Sequence, residues 1–156
     1  MKIYIDFDGV IVNTMEIIDK QLKEANLTKT EDYYLNIKWP KLLNECEIIA
    51  DAFNKIKSLS KDFDVSILTH IYTIEEGIAK INYIRKFNSD INIILVPKSI
   101  SKNQIVNAKN AILIDDYSQN INDWIKSGGI GIKFNNKKYK IINELNEFIN
   151  YVKLCE

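Results

Sequence analysis

The sequence predicts an α/β protein: a Rossmann-like parallel sheet of about five strands, helices on both faces, and a small helical cap inserted after the first strand. Three observations carry this prediction. Short runs rich in β-branched residues recur along the chain, and each is apolar at consecutive positions, as a strand buried on both faces must be. Segments of helical period lie between most of them. One long stretch, after the first run, contains no convincing strand.

The runs are Lys2–Phe7, Asp64–Leu68, Ile91–Val96, Ala111–Ile114 and Ile130–Phe134, each bounded by polar residues, Gly or Pro. Ile74, Ile78, Ile81 and Ile84 recur at steps of 4, 3 and 3, which places them on one helix face. Ser101 is placed to cap a helix starting at Lys102. Ile121 and Ile125 mark a shorter helix within Ser118–Lys126, and Ile141, Leu145, Phe148 and Val152 mark another at the C-terminus. The strandless stretch predicts a helix near Thr14–Ala25, an aromatic segment with Tyr33, Tyr34, Trp39 and Pro40, and a helix near Lys41–Ser58. Residues 1–13 and 60–156 are therefore expected to form the core, and residues 14–59 the helical insertion, at the carboxyl edge of the sheet.

Composition narrows the function. Across 156 residues, 21 Lys+Arg balance 21 Asp+Glu, so the formal charge is zero and no excess of cations faces a phosphate backbone. Arg85 is the single arginine, which removes a clamp of bidentate arginines. The apolar start Ile3–Val12 is broken by Asp6 and Asp8, and no stretch approaches the roughly 18 uninterrupted apolar residues of a membrane span. Cys46 and Cys155 form no CxxC and set neither a disulfide framework nor a zinc site. A cytoplasmic protein without membrane attachment or stable nucleic-acid binding is expected.

The chemistry lies at the ends of the strands, where a parallel sheet binds ligands. The first strand ends Asp6-Phe7-Asp8-Gly9-Val10, and the fourth ends Leu113-Ile114-Asp115-Asp116. Carboxylates so crowded repel one another unless a cation joins them, and hard oxygen donors with few other ligands suit Mg²⁺. The second strand ends Leu68-Thr69-His70, which offers a hydroxyl to a phosphoryl oxygen or, as is commoner for a Thr after a strand, a cap to the next helix. Lys98 and Lys102 follow the third strand, and each is within reach of the same mouth.

In this order the elements resemble the haloacid dehalogenase-like superfamily of phosphatases and phosphotransferases. DFDGVIVNT is similar to its first motif, ILTH to its second and LIDDYSQN to its fourth. The stretch Leu113–Phe134, through Asn120, Trp124 and the pair Gly128-Gly129, is similar to the 5′(3′)-deoxyribonucleotidase family. The resemblance covers essentially the whole chain. It implies Asp6 as the nucleophile, Asp8 as general acid and base, and Thr69 with a lysine on the phosphoryl oxygens. It implies Mg²⁺ held by Asp6, the main chain of Asp8 and Asp116, with Asp115 behind it or bridged by water. The motif's lysine tends to follow a helix start, which favours Lys102 over Lys98.

The implied reaction is Mg²⁺-dependent hydrolysis of a small phosphomonoester through an aspartyl phosphate. Main-chain N–H groups of Phe7–Gly9 are expected to cradle the phosphate. Tyr33, Tyr34 and Trp39 in the insertion and His70 beside Thr69 are candidate substrate contacts. Aromatic residues there suit a nucleobase, and the same residues would serve equally as the insertion's own core. A nucleoside or deoxynucleoside monophosphate is the expected substrate, with a sugar phosphate as the alternative. A non-catalytic phosphoryl- or partner-binding domain is the alternative of another class.

Overall fold

The computed structural model describes residues 1–134. It is a five-stranded, all-parallel sheet in the order β3-β2-β1-β4-β5. The strands are β1 (Lys2–Ile5), β2 (Asp64–Ile71), β3 (Asn92–Pro97), β4 (Ile112–Asp115) and β5 (Ile130–Lys133). All five predicted runs are strands. The chain steps outward from β1 through β2 to β3, then returns to the other side of β1 for β4 and β5. The crevice between β1 and β4 is the point of reversal, where such sheets hold their ligands.

Side-chain alternation along the strands fills two cores. Ile3, Ile5, Ile67, Ile112 and Ile114 face one side, with Ile18 and Leu22 of α1 (Thr14–Glu24), Trp39, Leu42 and Leu43 of α3 (Trp39–Glu45), and Phe53 and Ile56 of α4 (Ala52–Leu59). Tyr4, Leu68, Val96 and Leu113 face the other side, with Ile121 and Trp124 of α7 (Ser118–Lys126). The segment 14–59 thus shares its apolar cluster with the central strands. Each buried Ile or Leu contributes roughly 1.5–3 kcal/mol. Between α1 and α3 lies α2 (Glu31–Leu35), and between β3 and β4 lies α6 (Lys102–Ile105).

Three expectations are corrected. The helix expected near Lys41–Ser58 is two, α3 and α4. Between them the chain turns extended because it pairs with the loop after β1: Ile48 bridges Val12, and the Glu47 amide donates to Asn13 Oδ1 at 2.7 Å. β2 runs three residues further than expected, because Thr69, His70 and Ile71 pair with Leu95, Val96 and Pro97 of β3. Thr69 therefore lies within the strand and caps nothing. Thr73 caps α5 (Ile74–Phe87) instead, accepting the Glu76 amide at 3.1 Å. The isoleucine stripe of α5 is open to solvent at its N-terminal half: Ile74 is 75% and Ile78 54% exposed, while Glu76, Gly77, Ala79 and Lys80 are buried. The expected C-terminal helix around Ile141–Val152, and Cys155, lie outside the described residues.

Candidate active site

Asp6 follows β1 directly, and its amide donates to Ile114 O at 2.9 Å, which ties it to β4. Asp115 closes β4, and Asp116 follows. Carboxylate oxygens of Asp6, Asp115 and Asp116 all lie within 4.8 Å of one another. Burial is the main force raising the Asp6 carboxyl, to about 8; Lys102 opposes it, and Asp115, Asp8 and Asp116 push the same way as burial. Burial, then Asp115 and Asp8, raise Asp116 to about 6. Three hard oxygen donors that repel one another in a half-dry crevice fit a divalent cation of the Mg²⁺ kind, whose charge would reverse those shifts.

Gly9 makes this approach possible. Its φ is +74°, and a Cβ there would stand 2.2 Å from Asp116 Oδ2. The Gly9 amide is not available to a phosphate, because it donates to Val12 O at 2.8 Å. That removes Gly9 from the expected main-chain cradle.

Lys102 is 2% exposed, with Nζ 2.8 Å from Asp6 Oδ1 and 2.6 Å from Asp115 Oδ2. Desolvation pulls its ammonium down, but the two carboxylates outweigh it and hold it above the usual lysine value. Of the two lysines left open by the sequence, this is the one that the fold brings to the acids. Lys98 is exposed and lies over the rings of Tyr72 and Tyr117, at 5.9 and 5.4 Å. The placement of Lys102 follows from His70. Its Nε2 is 2.9 Å from Ile100 O, which fixes the turn leading into α6. Gln104 then accepts the Ser101 amide at 3.0 Å, one half of a capping box. Burial, opposed by the Ile100 bond, lowers His70 to about 4, so the ring is neutral and donates that hydrogen bond.

Asp115 already accepts three donors: besides Lys102 it accepts Asn120 Nδ2 at 2.9 Å and the Tyr117 amide at 2.8 Å. Asn120 belongs to the motif read in the sequence, but its role appears only in this contact. Trp124 is a packing residue, fully buried, donating to Ala111 O at 3.0 Å and meeting Tyr4 edge-on.

Asp8 has a different set of partners. Oδ1 accepts Thr14 Oγ1 at 2.7 Å, and Oδ2 accepts Lys80 Nζ at 2.5 Å and Thr69 Oγ1 at 3.4 Å. Thr69 thus lies on the general-acid candidate. Lys80 also pairs with Glu76 Oε1 at 2.7 Å. Sequence reasoning missed Lys80, Glu76 and Thr14. Gly77 and Ala79, small residues between Glu76 and Lys80, are the signal for a close approach of α5 to the sheet; a Cβ on Gly77 would meet Leu95 at 2.7 Å.

A cavity of about 390 Å³ opens over these groups, lined among others by Asp6, Asp8, Asp116, Lys29, Tyr34 and Tyr72. A larger one, about 500 Å³, lies beside Gly9 and Met15, but no strand-end acid lines it. Tyr34 and Tyr72 are half-buried and stack at 4.8 Å, 9° apart, at the mouth of the first. His70 and Trp39 line it too, but Trp39 is 4% exposed, has the Lys80 ammonium 4.7 Å from its ring, and leaves no open face for a base. Its indole N–H is buried without a partner among the described residues. Tyr33 is not part of the lining and turns its hydroxyl to Gln21 at 3.5 Å. Cys46 is half-buried, bonded to Leu42 O, and pushed up to about 12 by burial, so it is no nucleophile.

With this geometry established, solved structures supply the comparison. A haloacid dehalogenase-like hydrolase from Streptococcus pneumoniae superposes with a TM-score of 0.58 at 13% identity, covering 97% of each chain. The fold is that of the haloacid dehalogenase-like hydrolases. A second such enzyme, from Bacteroides thetaiotaomicron and in complex with magnesium and inorganic phosphate, gives 0.56 at 12% identity, over 90% of this chain and 96% of that one. The HAD domain of the effector protein Lem4 from Legionella pneumophila gives 0.54 at 18%, over 97% and 92%. No protein-family model matches the sequence, and no curated protein does. No helix among the described residues is long and apolar enough to cross a membrane.

Proposed function

We propose that this chain is a Mg²⁺-dependent phosphomonoester hydrolase that works through an aspartyl phosphate. One observation carries the reading: the two aspartates at the end of β1 each have their own buried ammonium, Lys102 for Asp6 and Lys80 for Asp8. Such a division suits a nucleophile and an acid that must act on opposite sides of one phosphorus.

In the first step Asp6 attacks phosphorus and the bond to the leaving oxygen breaks. The bonding electrons stay on that oxygen, which takes the proton of Asp8. In the second step water attacks the phosphorus, passes its proton to Asp8, and Asp6 is released as carboxylate. The sum is ester plus water to alcohol plus phosphate. Lys102, with two of its three N–H groups on Asp6 and Asp115, has one left for a phosphoryl oxygen. Asp6, Asp116 and the main chain of Asp8 would hold Mg²⁺, which when bound supplies positive charge against the phosphoryl oxygens. The three donors already on Asp115 support its place behind Asp116. Thr69 and His70 position Asp8 and Lys102 in this reading.

In this reading residues 14–59 serve as the cap over the described core, residues 1–13 and 60–134, since Met15, Ile18, Lys29, Tyr34 and Trp39 reach the cavity wall. Tyr34 and Tyr72 at its mouth support a planar leaving group, and a nucleoside or deoxynucleoside monophosphate is the substrate proposed. The test is phosphate release from a panel of nucleotides and sugar phosphates, with and without chelator. Chelator-sensitive turnover favouring nucleotides is expected. Chelator-insensitive turnover rejects the metal, and equal turnover of sugar phosphates rejects the nucleotide.

A further inference from the structure

We infer that Lys80, outside the motifs read in the sequence, is a positioning residue for Asp8: it fixes the carboxyl that hands a proton to the leaving oxygen, and Glu76 holds Lys80 in place. The inference rests on the phosphatase reading. Lys80 is fully buried on the sheet-facing side of α5. Its ammonium meets four fixed acceptors: Asp8 Oδ2 at 2.5 Å, Glu76 Oε1 at 2.7 Å, His70 O at 2.9 Å and Thr69 Oγ1 at 3.3 Å. Three N–H groups facing four acceptors leave none for a substrate, which separates Lys80 from Lys102. The rings of Trp39 and Phe7 close the remaining side, 4.7 and 5.7 Å from Nζ.

Stability does not explain this arrangement. A buried ion pair gives little net stabilisation over apolar residues of the same size, and α5 already contributes Ala79 and Ile84 to the apolar cluster here. Glu76 is equally committed: Oε2 accepts the Tyr72 amide at 2.8 Å while Oε1 takes Lys80. The pair is therefore a rigid arm from the first turns of α5 to Asp8. With Thr14 on Oδ1 and Lys80 on Oδ2, both oxygens of Asp8 are held, so the carboxyl plane cannot turn. An acid that must meet the leaving oxygen as the P–O bond breaks gains its rate from that orientation. Lys80 keeps its own proton throughout.

The test compares benzyl phosphate with p-nitrophenyl phosphate. They are of similar size, but benzyl alkoxide needs a proton to leave and p-nitrophenolate does not. The ratio kcat/KM reports the first irreversible step, release of the alcohol. Lys80→Met is expected to lower kcat/KM about 100-fold for benzyl phosphate and less than about tenfold for p-nitrophenyl phosphate. Adding Lys80→Met to Asp8→Asn should cost nothing further, since both act through one group. Lys80→Met with Glu76→Gln removes both charges of the arm, leaves no unpaired carboxylate on α5, and should show the same leaving-group bias. Equal losses on the two substrates, or additive losses with Asp8→Asn, overturn the inference and leave the phosphatase reading standing. Wild-type protein that turns over neither substrate overturns both.

Discussion

Replacing Lys102 by Met keeps the length of the side chain and removes its charge. Two ion pairs are lost, at 2.8 and 2.6 Å, to carboxylates whose side chains are 9% and 0% exposed. Removing one partner of a buried pair costs about 3–5 kcal/mol. Part of this is recovered when Asp6 takes up a proton, so roughly 3 kcal/mol is expected near pH 8, out of a total stability of about 5–15 kcal/mol. At about 2–4 °C per kcal/mol, Tm should fall by roughly 6–12 °C. The sign with pH follows from Asp6. Its folded pKa is about 8 against 3.8 unfolded, so the folded state holds the extra proton between these values. Stability is then lost as pH rises through 8, and the deficit of the variant should shrink on acidification towards pH 5. Phosphate release should drop about 100- to 1000-fold, as for other lost charge-stabilising donors. Lys98→Ala removes an exposed cation that lines the same cavity, with ring contacts worth about 0.5–1 kcal/mol, and should lower turnover far less than Lys102→Met. Urea unfolding by circular dichroism from pH 5 to 9 in chelator, with turnover measured in Mg²⁺, decides. A loss under 1 kcal/mol at pH 8, a deficit that grows in acid, or a larger effect of Lys98→Ala would refute the reasoning.

Asp6→Asn should abolish turnover while calorimetry shows the fold retained, since the amide matches the carboxylate in shape but cannot attack phosphorus; residual activity near wild type removes the covalent route. Gly9→Ala puts a methyl 2.2 Å from Asp116 Oδ2 at a φ of +74°, so the Mg²⁺ concentration for half-maximal activity should rise at least tenfold or activation be lost; an unchanged value would place the metal elsewhere. Tyr72→Ala opens the mouth and should reduce the preference for nucleotides about tenfold, the size of one base–aromatic stack. Trp39→Ala, in contrast, cuts a cavity into the core and should show first as a lower Tm, about 3 kcal/mol or more. His70, lowered from 6.5 to about 4, binds its proton more weakly when folded, so its own contribution to stability should fall as pH drops from 6.5 towards 4, against the opposite contribution of Asp6. Scaled down because the ring is only half-buried, that loss is about 1 kcal/mol, and it should be absent from the pH profile of His70→Gln.

The strands were legible because parallel strands at the centre of a sheet are dry on both faces and must be apolar at every position, a local demand that Ile3–Ile5 and Ile112–Ile114 meet. The acidic pairs were legible for the same reason, since polar residues that interrupt such runs must sit at strand ends, and parallel strands put those ends together. The candidate acids Asp6, Asp8, Asp115 and Asp116 needed no more than this. What the sequence could not contain is which neighbour each helix face meets. The periodicity of α5 marks a stripe, Ile74-Ile78-Ile81-Ile84, but period alone does not say which way the helix is turned. Packing Gly77 against Leu95 set the rotation, exposed Ile74 and Ile78, and buried Glu76 and Lys80 beside Asp8. The break between α3 and α4 had the same origin, in a pairing of Ile48 with Val12 across a long sequence separation. Lys98 and Lys102 could not be told apart by residue type either. The fold separated them, because the bond from His70 to Ile100 turns the chain so that α6 aims only Lys102 at the acids, in a place dry enough for one buried charge to need the other.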